Sequence, residues 1–170
     1  MIGWTFARQL HMHSTMADHA QMASRIAREC AGLRVRQASR LLTRVYDEAL
    51  RPVGIQESQL SVLVAVTSFG EKGATMGALA DELVMDRTTI TRNVVPLEKA
   101  GYLRVARSAT DARVRIILLS PAGERLLESA YPLWEDAQAR LRRALGKERF
   151  EGLRSRLSEV VSLADRLDGG

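Results

Sequence analysis

Cysteine is almost missing from this chain of 170 residues: Cys30 stands alone. That excludes an internal disulfide and any cysteine-built zinc site, and it fits a reducing compartment. Long apolar runs are missing as well. Leu60 to Val66 is seven residues long and already includes Ser61, against the ~20 that a membrane helix needs. Histidine occurs only at positions 11, 13 and 19, so none is left for a Ser-His-Asp site in the body of the chain. No H-E-x-x-H, Walker loop or G-x-G-x-x-G is present. His11 and His13 are two ligands at most, too few for a metal centre. These absences read against an enzyme, a cofactor, a metal site and a membrane anchor. The opening residues lack the apolar core and small-residue cleavage site of a signal peptide, so a cytoplasmic protein is expected. Met12 and Met16 offer alternative starts.

What is present is the material of a soluble globular protein, with 46% apolar and 26% charged residues. The length suits one domain, able to bury ~70% of its unfolded surface without staples. The net charge of +5 is unevenly placed. Residues 25–44 carry six arginines against Glu29, giving +5. Residues 86–115 carry seven basic side chains against three acidic ones, giving +4, so the remainder totals −4. A basic segment in an otherwise acidic chain is the footprint of a polyanion binder, or else a solvated helix face.

Residues 1–20 read as a loosely ordered extension. A long helix is predicted from about Asp18 to Leu50, its apolar stripe running through Ile26, Cys30, Leu33, Leu41, Leu42 and Val45, stopped by Pro52 and Gly54. A second spans about Glu57 to Phe69. Thr75 can cap a short helix through Leu83, with Met76, Leu79, Ala80 and Leu83 inward. Asp86 can cap the next, which closes at Gly101. Two capped helices across a tight turn outline a helix-turn-helix. A hairpin follows: Arg104 to Arg107, a polar tip at Ser108 to Ala112, then a strand in which Val114, Ile116 and Leu118 alternate with Arg113 and Arg115. Ser120-Pro121 opens a helix to about Leu145, and a last helix runs from about Lys147 to Leu167. The fold expected is mainly α with a small β-hairpin wing. A winged domain cannot cover the apolar stripes of the terminal helices, so pairing with a second copy is expected.

The stretch from about Leu33 to Leu127 resembles the MarR family of winged helix-turn-helix transcription regulators. The resemblance is carried by Gly54 with Gln59, Leu79-Ala80, the run Asp86-Arg87-Thr88-Thr89-Ile90-Thr91-Arg92, Leu97-Glu98-Lys99-x-Gly101, Asp111-x-Arg113 and Leu119-Ser120-x-x-Gly123. It implies a homodimer in which residues 21–54 and 121–170 supply long dimerisation helices and 55–120 the DNA-binding lobe, within a single domain over 21–170. It implies sequence-specific binding to a pseudo-palindromic double-stranded operator. It also implies repression relieved by a small aromatic or phenolic effector, or by an oxidant, bound between the two regions. Two positions depart from the family: Val105 stands where an arginine is usual, with Arg104 and Arg107 flanking it, and Pro96 lies inside the recognition helix, where it should kink the last turn.

On a helix of 100° per residue, Ile90, Val94 and Leu97 share one face and must turn inward. The outward face is then Thr88, Arg92 and Val95, flanked by Thr89 and Thr91. Arginine suits a bidentate contact with guanine, and threonine a base, phosphate or thymine methyl. Arg87, beside the cap, suits a phosphate, and Arg107 lies at the wing. Arg113 at the wing tip is placed by the resemblance in the minor groove, with Asp111 two residues earlier oriented to steer its guanidinium. For an effector pocket the sequence offers Arg44, Tyr46, Tyr131 and Trp134. Cys30 offers a redox alternative, since some relatives sense peroxide through a cysteine near the start of the first helix. It lies two residues off that position and on the apolar stripe, where a cysteine usually only packs. The rival from another class is a winged-helix interaction scaffold that does not read DNA.

Overall fold

The computed structural model describes residues 3–108, 111 and 113–163, with side chains from Met16 onward. Seven α-helices and one hairpin are present among them, in the order α1 (Gly3–Glu29), α2 (Ala31–Leu50), α3 (Glu57–Ser68), α4 (Met76–Glu82), α5 (Arg87–Lys99), β1 (Leu103–Arg107), β2 (Arg115–Leu119), α6 (Pro121–Leu145) and α7 (Lys147–Val161). The chain divides into two compact units, residues 1–42 and 43–170. Ala164 and Leu167 of the expected last stripe, and Ala109, Thr110 and Ala112 of the expected hairpin tip, lie outside the described residues.

The first unit corrects two expectations. Residues expected as a loose extension form α1 from Gly3 onward. Between Trp4 and Glu29 there is neither proline nor glycine, so nothing in that stretch interrupts a helix. The single long helix expected from Asp18 to Leu50 is instead broken at Cys30. There the Leu33 backbone N–H donates to Cys30 Sγ at 3.4 Å, a side chain filling the role of a cap for the new helix start. The residues of α1 from Met16 to Glu29 are exposed throughout.

The second unit is built on α3. Val62, Leu63 and Val66 are fully buried beside Leu50, Leu79, Ile90, Val94, Leu97 and Ile117, each such side chain contributing about 1.5–3 kcal/mol over leaving it in water. Local capping fixes where the helices start. Thr75 Oγ1 accepts the Ala78 N–H at 3.0 Å, Asp86 Oδ1 the Thr89 N–H at 2.9 Å, and Ser120 Oγ the Gly123 N–H at 3.0 Å. The start of α3 is held by Gln59 Oε1, which accepts the Gln56 N–H, and by Asp47 Oδ1, which reaches across to the Glu57 N–H at 2.7 Å. α5 ends in a Schellman motif: Gly101 has φ +80°, its N–H donates to the Glu98 carbonyl, and that of Tyr102 donates to Leu97.

The hairpin pairs Leu103 with Leu119 through Arg107 with Arg115. A single bridge from Ala74 to Ile117 adds a third chain segment on the far side of β2. This alters the expected alternation. Ile117, two residues on from Arg115 and so on the arginine side of that alternation, is the most buried residue of β2, while Ile116 is only half-buried and Leu118 is also covered. With neighbours on both edges and α3 and α4 against it, β2 has no fully solvent-facing side over Ile116–Leu119, so a simple two-period no longer describes it.

Candidate nucleic-acid interface and effector cavity

The inward triad of α5 is as the spacing requires: Ile90 and Val94 are fully buried and Leu97 nearly so. The other candidates on this helix divide by what their polar atoms are already doing. Arg92 and Thr88 are exposed. Thr91 is exposed, but its hydroxyl donates to the Arg87 carbonyl at 2.7 Å. Thr89 is half-buried and its hydroxyl donates to Asp86 Oδ2 at 2.7 Å, so both its backbone and side chain serve the cap. Arg87 is exposed at the helix start, and its guanidinium reaches back over Gly77 of α4. The Asp86 carboxyl is held below the ordinary carboxylate range, first by the Thr89 hydroxyl and then by the Thr89 backbone N–H. The helix runs on through Pro96.

Asn93 is a residue the sequence reading missed. It is buried on α5, where its amide N–H₂ donates to the Thr89 carbonyl at 3.0 Å and its Oδ1 accepts the Ser58 hydroxyl of α3 at 2.8 Å. This cross-link ties α5 to the core helix behind it. An asparagine directly before Val94, one turn after Thr89 and Ile90, gave the only signal.

At the wing, Arg107 and Arg113 are exposed. Asp111 does something other than expected: its Oδ1 accepts the backbone N–H of Arg113 at 2.9 Å, rather than steering the guanidinium. The Asp111 carbonyl accepts the Val114 N–H at 2.9 Å, and Ser108 N–H donates to the Val114 carbonyl at 2.8 Å. Asp111 is therefore the builder of the turn, in the manner of an aspartate bonding the backbone two residues on, and Arg113 is left free to project from it.

The four residues expected at an effector pocket fall around three separate depressions of the second unit. Tyr46 and Trp134 meet at a cavity of about 360 Å³ between the end of α2, α3, α4 and α6. Tyr131 and Trp134, with ring centroids 5.8 Å apart, border a second of about 500 Å³ with Gln138, Arg142 and Phe150. Arg44 lies in a third, with Asp47, Glu48 and Arg51. The Tyr46 phenol is pushed above its ordinary range by burial and then by the charge of Glu57. That of Tyr131 is raised by its hydrogen bond to Glu135 and by the same carboxylate's charge. Among the described residues no three His, Cys, Asp or Glu side chains gather closely enough to hold a metal ion, and no helix is long and apolar enough to cross a membrane.

Comparison with known proteins places this geometry. A family model described as MarR family matches residues 53–114. An uncharacterized HTH-type transcriptional regulator of Bacillus subtilis (strain 168), YwoH, is 29% identical over 94 residues, which is 55% of this chain and 66%, just under two thirds, of that protein. The transcriptional regulator MosR of M. tuberculosis, solved in complex with DNA, superposes with a TM-score of 0.70 at 34% identity over 82% of this chain and 98% of that one. A MarR mutant of E. coli complexed with operator DNA has the same fold, with a TM-score of 0.70 at 21% identity over 79% of this chain and 96% of that one.

Proposed function

The chain belongs to the MarR family of transcription regulators, and we propose that it works in the cytoplasm as a homodimeric, sequence-specific repressor that releases its operator when a small molecule enters the cavity beside Trp134. The observation that carries the DNA-binding part is the outward face of α5. Thr88 and Arg92 stand exposed on a helix whose opposite face is locked by Ile90, Val94 and Leu97 and whose side is pinned by Asn93. A recognition helix must be rigid from behind and polar in front. An interaction scaffold would favour apolar or aromatic anchors at those positions. The M. tuberculosis regulator, at 34% identity, was solved on DNA, which supports the same reading.

In this reading Arg92 reads a base, Arg87 and the amide end of α5 hold phosphate, and Arg113 and Arg107 at the wing contact the flank. Thr88 and Thr91 border the base contacts. Thr89 and Asp111 act at one remove: Thr89 through the cap of α5, Asp111 through the turn that presents Arg113. The cavity joins α4, the first helix of the helix-turn-helix, to α6, so occupancy there can bias the position of α5.

Fluorescence anisotropy on duplexes from the DNA flanking its own gene tests the proposal. Arg92→Ala should cost ~1–3 kcal/mol on the cognate duplex and far less on random DNA. Arg87→Ala should weaken all sequences alike and lower the salt slope by ~0.9 per lost phosphate contact. Absence of binding by the wild type to every such duplex would favour the scaffold reading.

A further inference from the structure

The cavity between Tyr46 and Trp134 has a charge character that the resemblance does not supply. α3 contributes one side of it with Glu57, Leu60, Ser61, Val64, Ala65 and Ser68, residues three and four apart that form a single stripe along the helix. The core takes the other stripe, Val62, Leu63 and Val66. One face of α3 therefore packs, and another, mixed apolar and polar, lines the cavity.

Two carboxylates open onto this space, Glu57 at the start of α3 and Glu82 at the end of α4. Neither forms an ion pair among the described residues, where the ion pairs involve Glu29, Glu48, Glu151 and Glu159. Glu57 accepts a hydrogen bond from Ser61 Oγ at 2.9 Å and its charge is felt at the Tyr46 phenol. Among the described lining residues none is lysine, arginine or histidine, whereas the other two depressions each contain two arginines. Tyr46 and Trp134 add aromatic faces, which attract a cation through the ring quadrupole. The volume, about 360 Å³, suits a small ligand.

We propose that this cavity selects a small organic cation with an aromatic body, such as a quaternary ammonium, and rejects phenolates and carboxylates. An anion entering it would lose water and meet two negative charges without a counter-ion. A cation meets two carboxylates and two rings. The net charge of the chain is +5, so non-specific attraction would favour anions, and a preference for cations has to come from the cavity itself. The effect of the ligand at the operator rests on the regulator reading above; the charge preference does not.

Isothermal titration calorimetry of the full chain with benzyltrimethylammonium, benzyl alcohol and benzoate tests this. The ammonium should bind saturably and about tenfold or more tightly than benzyl alcohol, with benzoate weakest. In the Glu57→Gln/Glu82→Gln variant, ammonium affinity should fall about tenfold or more while that of benzyl alcohol stays put. Glutamine keeps an acceptor for Ser61, and the exposed Glu82→Gln alone serves if the pair fails to fold. Benzoate binding as tightly as the ammonium, an affinity insensitive to both glutamines, or no saturable binding of the ammonium overturns the inference. Operator binding measured on the same preparation separates the two proposals. DNA binding without ammonium binding removes this one and leaves the regulator; ammonium binding without DNA binding does the reverse.

Discussion

Val84 and Asp86, two residues apart in the turn before α5, carry opposite local energetics. Val84 has φ +50° and is 66% exposed, a left-handed conformation that a β-branched side chain adopts only under strain. Its side chain packs against little, so Val84→Asn should stabilise the fold by about 1 kcal/mol, read as a higher urea midpoint. A lower midpoint would mean that the valine makes contacts outweighing its strain. Asp86 works the other way, since Thr89 donates both its backbone N–H and its hydroxyl to the carboxylate. Its folded pKa is depressed, so its contribution is fully present above the unfolded value, about 4, and is lost as pH falls through the lower folded value. The difference in melting midpoint between wild type and Asp86→Ala should therefore be constant near neutrality and shrink in acid below about pH 4. A difference that persisted unchanged there would remove the carboxylate from the cap.

The starts of α4, α5 and α6 and the end of α5 were legible at the scale of elements because each of these boundaries is written in local chemistry: Thr75, Asp86 and Ser120 as caps and Gly101 as a stop. What could not be read locally depends on distant partners. The burial of Ile117 follows from the Ala74 bridge, the role of Asn93 from Ser58 some 35 positions away, and the cavity from α3 meeting α4 and α6. Of the candidate site, the outward position of Arg92 followed from periodicity alone. The engagement of Thr89 and Asp111 with the backbone did not, because each can serve either the chain or a ligand. Gly123 shows how tightly these elements join. A Cβ there would run into the Tyr102 carbonyl and lie 2.7 Å from Leu119 Cδ1, and its N–H is the one that Ser120 receives while Ser120 Oγ donates to the Gly101 carbonyl at 2.6 Å. Gly123→Ala should cost ~1–3 kcal/mol by prying α6 from the end of α5. Gly152→Ala in α7, where a Cβ meets nothing, should be neutral or gain ~0.5–1 kcal/mol. Denaturant midpoints of the pair check the contrast, and equal responses would refute the packing argument.

Apolar surface at the scale of the whole molecule is left where a single chain has no use for it. On α7, Val160 and Val161 are 56% and 60% exposed, and Leu153 is 37% exposed, although Phe150 on the same helix is buried. In the other unit Met22, Ile26, Val35 and Leu41 are likewise open. Singly such residues are ordinary, but series of them along helices are what an interface uses, and in the proposed homodimer the stripe on α7 would be covered by a second copy. Sedimentation equilibrium should therefore give twice the protomer mass of 18.8 kDa. The pair Val160→Asp/Val161→Asp should reduce it to that of one chain without unfolding it, because both side chains lie outside the protomer core. A chain ending before Lys147 should lose the pairing as well, but it also strips Phe150 from α6 and can precipitate, so the aspartate pair is the cleaner test. A dimer binds its two half-sites with the second contact made intramolecular. The monomeric variant should therefore keep the weak, salt-sensitive affinity of one lobe and lose about 10²-fold or more on an intact operator. Full operator affinity in a variant that sediments as a single chain would show that one lobe suffices and that the exposed stripes serve another partner.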